Sequence, residues 1–281
     1  MKKISDNFLT NLNIKENIYL LGFIWADGWI SKNKISMSLT EKDFNQIEPI
    51  LKKFKINNFY KRQRFDSNGD LFGNPCKQFS IYNKNIVNFL LENDYKLKSY
   101  VSPIKILKII PEKLHYLFWR GYFDGDGCLY IGKKIELAFW STIEQDWSEI
   151  IKLYKTLEIN KYSIYKYKRK NGKHCSSVIR IGISKDIKKI CDYIYQNDLE
   201  IGLKRKYKKY KELLNIYNKI QLNKSKTSKK IGIFFNKLNG KWGAYITKNK
   251  KNKLKKNLHI GWYQTEIEAI RARKNKIKNL I

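Results

Sequence analysis

The chain has 281 residues, 42% of them hydrophobic and 14% aromatic, and 58 Lys plus Arg against 25 Asp plus Glu give a formal net charge of +33. That length and aromatic content allow two or three folded domains and exclude a disordered basic tail, while the charge calls for a polyanionic partner, nucleic acid first. No apolar run approaches the roughly 20 residues of a membrane span, and the four cysteines and three histidines hold no C-x-x-C pair or zinc spacing.

In chain order, Met1 to Asn11 has two lysines but no apolar core, so it is not expected to be a secretory signal. A first helix is predicted to open at Asn13, with Glu16 as the reciprocal partner of a capping box, and to run about fifteen residues to Asp27. It carries Leu20-Leu21-Gly22-Phe23-Ile24-Trp25-Ala26-Asp27-Gly28. Gly22 and Ala26 share one helix face, where small residues let a second helix approach closer than the roughly 8–10 Å of ordinary packing. Gly28, like Gly127 in the second copy described below, is placed to stop its helix in the left-handed conformation. A strand over Ile35–Leu39 and an amphipathic helix over Asp43–Phe54 follow. Phe59-Tyr60-Lys61-Arg62-Gln63-Arg64 then leads to the turn dipeptide Asn68-Gly69, a strong hairpin signal. A two-stranded ribbon fits the DNA major groove, so Lys61, Arg62 and Arg64 are candidate DNA contacts, the two arginines on one face. Lys96-Leu97-Lys98-Ser99 closes the half.

The same order returns. A helix starting at Pro111, with Glu112 in its first turn, carries Trp119-Arg120-Gly121-Tyr122-Phe123-Asp124-Gly125-Asp126-Gly127, with Gly121 and Gly125 spaced as Gly22 and Ala26 are. A strand over Ile135–Phe139 and a helix over Asp146–Leu157 follow. The ribbon Tyr165-Lys166-Tyr167-Lys168-Arg169-Lys170 ends in Asn171-Gly172, and its four basic residues are candidate DNA contacts. Gly202-Leu203-Lys204-Arg205-Lys206 closes the second half. The chain is therefore internally duplicated, each half reading αββαββα. If the two motif helices pack in parallel, Asp27 and Asp126 meet at the negative helix ends and require a cation. Mg²⁺ fits when phosphate oxygens complete its shell. An EF-hand at Asp124-Gly125-Asp126-Gly127 lacks the later oxygen ligands and the closing Glu.

Residues 219–229 are rich in Lys, Asn, Ser and Thr and read as a linker. Beyond them, Ile231–Phe235, Lys241–Ile246 and Leu258–Tyr263 are predicted strands, and Thr265 with Glu268 caps a final helix.

The paired stretches around Asp27 and Asp126 resemble the motifs of a LAGLIDADG homing endonuclease in its single-chain, two-repeat form. Trp25 departs from the first Asp of the family motif, where Asp124 agrees with it. The resemblance implies an α+β fold in which repeats at 1–110 and 111–218 form a pseudo-twofold DNA-binding saddle. It also implies Asp27 and Asp126 as Mg²⁺ ligands, and Lys98 and Lys204 as the best matches to a lysine at each active-site edge. The expected protein is an intracellular monomer, in cytoplasm or nucleoid, that makes staggered double-strand breaks in a long DNA target. An intron maturase that binds RNA, or a regulator that binds DNA without cutting, remains open beside it. Residues 230–281, through Gly261-Trp262-Tyr263-Gln264-Thr265-Glu266-Ile267-Glu268-Ala269, resemble an ethylene-response-factor-type (APETALA family) DNA-binding domain. That resemblance implies a sheet in the major groove, with Lys241, Trp242 and Tyr245 as contacts.

Overall fold

The computed structural model describes residues 7–63, 75–168, 175–196, 198–225, 232–236, 238–249 and 255–279. The first half runs α1 (Lys15–Asp27), β1 (Trp29–Ser31), β2 (Lys34–Thr40), α2 (Glu41–Lys53), β3 (Phe59–Arg62), β4 (Cys76–Tyr82), α3 (Lys84–Glu92) and the short α4 (Ile104–Ile109). The second runs α5 (His115–Asp126), β5 (Gly127–Ile131), β6 (Ile135–Thr142), α6 (Ser148–Thr156), β7 (Ser163–Tyr167), β8 (Ser176–Ile181), α7 (Ser184–Tyr195) and α8 (Lys204–Ser225). Their antiparallel sheets have matching orders, β1-β2-β4-β3 and β5-β6-β8-β7. The fold is α+β, with two αββαββα-like halves that share one hydrophobic core.

Each sheet has a covered and an open face, set by strand alternation. Ile35, Met37, Phe79 and Ile81 point to the core in the first sheet, as do Leu137, Phe139, Ile179 and Ile181 in the second. At the centre α1 and α5 cross backbone to backbone. A Cβ added at Gly22 would lie 1.9 Å from the Phe118 carbonyl oxygen, and one at Gly121 2.0 Å from that of Tyr19. At the last turn, a Cβ on Gly125 would lie 2.3 Å from that of Ala26.

Three local expectations are corrected. No capping box forms at Asn13: Ile14 is the N-cap of α1, and Glu16 pairs with Lys53 at 2.7 Å. The helix start is set instead by buried Asn17, which accepts from the Leu9 N–H and donates to the Asn7 and Asn11 carbonyls. Gly28 and Gly127 are not left-handed; both have φ −82° and lead straight into strands. Their missing side chain serves close approach, since a Cβ at Gly28 would sit 2.7 Å from the Tyr95 hydroxyl, and one at Gly127 2.1 Å from the Phe123 ring. The segment expected to be linker is still α8 as far as Ser225, and residues 226–231 lie outside the described residues.

Two basic side chains tie the second half together and to the first. Buried Arg120 donates at 2.9–3.0 Å to the carbonyls of Ile194 and Tyr195, which the end of α7 leaves open, and to that of Ile201 in the connection to α8. Arg205, in the first turn of α8, forms a two-pronged bridge to Asp43 of α2 at 2.8 and 2.9 Å.

The chain divides into two compact units, Met1–Leu214 and Asn215–Ile281. In the second, β9 (Ile233–Asn236), β10 (Lys241–Asn249) and β11 (Lys255–Tyr263) form a sheet of order β11-β10-β9. Helix α9 (Glu266–Lys278) packs on it through Ala269, against Ile233 and Ala244. Thr265 and Glu268 form the expected capping box. Among the described residues no helix is long and apolar enough to cross a membrane.

Candidate active site

The crossing of α1 and α5 ends in two carboxylates. With only Ala26 and Gly125 between the helices, Asp27 Oδ2 comes within 3.2 Å of a Cβ placed on Gly125, so its carboxylate lies against the last turn of α5. Burial pushes the Asp126 carboxyl up to about 7, and the neighbouring Asp27 charge adds to the shift; Lys98 and Lys206 pull it back. Burial also raises Asp27, against Lys206, Lys98 and Arg205. Desolvation and mutual repulsion thus both disfavour the charged pair.

Each helix end is capped by a lysine. Lys98 Nζ donates to the carbonyls of Trp25 at 2.7 Å and Ala26 at 2.8 Å, and lies over the Tyr95 ring. Lys206 Nζ donates to those of Phe123 at 2.5 Å, Asp124 at 2.7 Å and Gly127 at 2.7 Å. The ammonium groups satisfy carbonyls that a helix C-terminus leaves open and sit at its negative end. Burial lowers the proton affinity of both to about 8, against the pull of the acids.

Lys204, which the resemblance implied at this edge, has an exposed side chain, and its backbone N–H donates to Gln46. Lys206 reaches the acids instead. The signal was present: Lys206 shares the buried face of α8 with Leu203, Tyr210 and Leu213, and Lys204 does not.

Asp124, the other acid of the second motif, is a structural acceptor. Its Oδ2 takes the Tyr19 hydroxyl and the Leu203 N–H, both at 2.8 Å, joining α1, α5 and the start of α8. At the equivalent place in the first half, Trp25 packs edge-on against Phe118 and Tyr95. A cavity of about 360 Å³ opens beside the acids, lined by Asp126, Lys98, Tyr122, Trp140 and Gln145 among others.

Among the described residues no three His, Cys, Asp or Glu side chains cluster, so the donor set here is the carboxylate pair. Two adjacent carboxylates whose ionisation burial opposes fit a hard divalent cation that takes its remaining oxygens from phosphate and water.

The basic candidates divide. Arg62 lies on the open face of the first sheet, where it meets Gln78. Lys61 does not: it pairs across the strands with Lys77 on the helix side and lies 3.9 Å from Glu41. Lys166 likewise pairs with Ser177, which bonds the indole of Trp147 beneath the sheet. The register with β8 turns Tyr165 and Tyr167, not Lys166, to the open face. Lys168 is exposed just past β7, and Arg64, Arg169, Lys170 and both Asn-Gly turns lie outside the described residues. In the C-terminal unit Trp242 packs toward α9, whereas Lys241 and Tyr245 fall on the open face with Phe234 and Trp262.

No curated protein matches the chain. Among solved structures, the homing endonuclease I-WcaI bound to its DNA recognition sequence is 16% identical with a TM-score of 0.45, over 66% of this chain and 83% of that one. I-SmaMI bound to uncleaved DNA target in the presence of calcium ions is 16% identical with a TM-score of 0.47, over 73% and 92%. The LAGLIDADG homing endonuclease I-GzeII in complex with DNA target is 12% identical with a TM-score of 0.47, over 75% and 92%. Residues 114–195, which run from the entry to α5 through Asp126 to the end of α7, match the family model of the LAGLIDADG-like domain.

Proposed function

We propose that this chain is a monomeric, site-specific homing endonuclease that cuts both strands of a long DNA target, leaving staggered ends. The observation that carries this reading is the pair of buried carboxylates where α1 and α5 end, each helix end held by its own lysine. The family match over residues 114–195 supports it. Asp27 and Asp126 would hold Mg²⁺, which when bound supplies an activated water and stabilises charge on the attacked phosphate. Lys98 and Lys206 fix the carbonyl ends of both helices and so set where the carboxylates point. Lys98 also lines the cavity beside Asp126, where a phosphate would meet a positive charge. The excess of Lys and Arg draws duplex DNA onto the two sheets. The C-terminal unit adds a second DNA contact through Lys241, Tyr245 and Trp262, with Trp242 supporting the sheet from behind.

The test is incubation with Mg²⁺ and two duplexes, one carrying the sequences that flank the gene joined directly, the other the same sequences interrupted by the gene. The joined duplex should be cut at one place and the interrupted one spared. RNA binding without DNA cleavage would make the protein a maturase, and tight uncut binding would make it a regulator; either result overturns the proposal.

A further inference from the structure

The open faces of the two sheets occupy equivalent places in the duplication, yet their chemistry differs. On the first, one chain of hydrogen bonds crosses three strands. Ser36 Oγ meets Ser80 Oγ at 2.7 Å, Tyr60 hydroxyl meets Ser80 Oγ at 2.9 Å, Gln78 Nε2 donates to Tyr60 at 2.5 Å, and Arg62 donates to Gln78 Oε1 at 3.4 Å. Cross-strand pairing of Ser36 with Ser80 and of Tyr60 with Gln78 holds these groups in register. Tyr60 and Arg62 are exposed above buried Gln78. A guanidinium has five N–H donors, so Arg62 keeps donors beyond the one aimed at Gln78.

On the second sheet Tyr165 matches Tyr60, but Tyr167 stands where Arg62 does, Val178 where Gln78 does and Trp140 where Ser38 does. Trp140 stacks on Tyr167 with ring centres 5.8 Å apart and planes 27° apart. Arg180 lies against the rings of Tyr165 at 4.7 Å and Tyr167 at 6.0 Å. It donates to the Tyr167 hydroxyl at 2.5 Å and pairs with Glu136 at 3.4 Å, so its charge is matched within the sheet. Trp140, Tyr165 and Tyr167 are exposed side by side, and Trp140 carries this ring surface to the cavity that Asp126 lines.

We propose that the two halves of the DNA target are read by unlike means: under the first sheet by hydrogen bonds to base edges, under the second by packing of rings on thymine methyl groups. This rests on the endonuclease reading above. In the major groove every base pair presents a distinct donor and acceptor pattern, and the thymine C5 methyl is its apolar feature. Fixed polar groups punish a wrong base because they are left unpaired, by roughly 5- to 150-fold per base pair. A ring against a methyl discriminates weakly, by about fourfold for one buried carbon. The target should therefore have one half defined base by base and one half that is merely thymine-rich.

The experiment is selection of bound duplexes from a random library by the full chain in EDTA, which prevents cutting. The enriched site is then remade with deoxyuridine for thymidine, one position at a time, a change that removes a methyl and leaves pairing intact. Uracil should weaken binding about fourfold per contacted position in the loosely defined half and have little effect in the other. Gln78→Leu with Arg62→Leu should flatten base preference in the well-defined half alone, and Tyr165→Ser with Tyr167→Ser should abolish uracil sensitivity in the loose half alone. Melting curves of both variants check that they fold. Equally defined halves, or uracil without effect in the loose half, would overturn the inference while leaving the nuclease reading intact. If no duplex sequence is enriched, both fall together.

Discussion

Lys206 holds the carbonyl end of α5 as Lys98 holds that of α1, although the two lysines arrive by different routes. Lys98 follows a 3₁₀ turn at Tyr95–Leu97, and Lys206 projects from the first turn of the long α8. What is duplicated is the ammonium at the helix end, not the segment that delivers it.

Replacing either lysine should therefore cost both stability and chemistry. Lys98→Met and Lys206→Met each strand two or three buried carbonyls, worth about 1–3 kcal/mol of unfolding free energy. Single-turnover cleavage should slow by about 10²-fold, in line with removing one charge from a preorganised site. Lys204→Met should change neither by a measurable amount. Urea melting and rapid-quench cleavage of the three variants would decide this, and a large cleavage defect in the Lys204 variant would reverse the assignment.

If Asp27 and Asp126 hold the metal as proposed, Asp27→Asn and Asp126→Asn should abolish double-strand cleavage while leaving DNA binding intact or tighter, because each change would remove a ligand and also relieve repulsion. Asp124 should behave differently. Asp124→Asn keeps an acceptor for Tyr19 and Leu203 and should retain cutting, whereas Asp124→Leu leaves two buried donors unpaired and should destabilise the fold by about 2–5 kcal/mol. Gel-shift, cleavage and melting assays on the four variants separate ligand from support.

The centre also predicts an unusual dependence of stability on pH in metal-free protein. Asp126 keeps its proton up to about 7 and Asp124 up to about 6. The folded state therefore binds more protons than the unfolded chain from the ordinary carboxylate range upward, and stability falls as pH rises to about 7. Lys98 and Lys206 lose protons from about 8, below the ordinary lysine range, so the folded state then binds fewer and stability recovers as pH rises further. Urea titrations at constant ionic strength should show a trough between these limits. Asp126→Asn should flatten its acid side, and millimolar Mg²⁺ should raise stability most within it. A profile that rises steadily from pH 5 to 8 would contradict this account.

Ending the chain after residue 225 keeps both acids, both site lysines and α8 whole. Such a truncation should still cut in a metal-dependent way. It should bind about 10²-fold more weakly, if the free C-terminal unit has a Kd of ~10⁻⁵ M and an effective concentration in the millimolar range. Its footprint should shrink on one flank only. An unchanged footprint would show that the C-terminal unit serves another partner.

The duplication, the small residues in both motifs and the cap at Thr265 were legible because each is a local pattern: a spacing, a repeat, a Thr three residues before a Glu. Features set by distant contacts were not. The start of α1 depends on Asn17 reaching three backbone groups of the preceding turn, which no capping rule encodes. The outward face of β7 depends on its register with β8, and one residue of shift exchanges lysines for tyrosines. The role of Arg120 was hidden altogether, since a single arginine among apolar neighbours does not say which carbonyls it will meet.

The contact between Tyr19 and Asp124 has a counterpart at the exchanged positions, where Phe118 meets Trp25 with ring centres 6.3 Å apart. One pair is polar and the other aromatic, so each helix fits the other and not a copy of itself. Two first halves would set Tyr19 against Trp25 and leave a buried hydroxyl without its acceptor. Two second halves would set Asp124 against Phe118 and bury a carboxylate beside a ring. The chain is thus committed to hybrid pairing: at this contact a symmetric pair of first halves would need Tyr19→Phe, and a symmetric pair of second halves Phe118→Tyr, before either copy could fit itself.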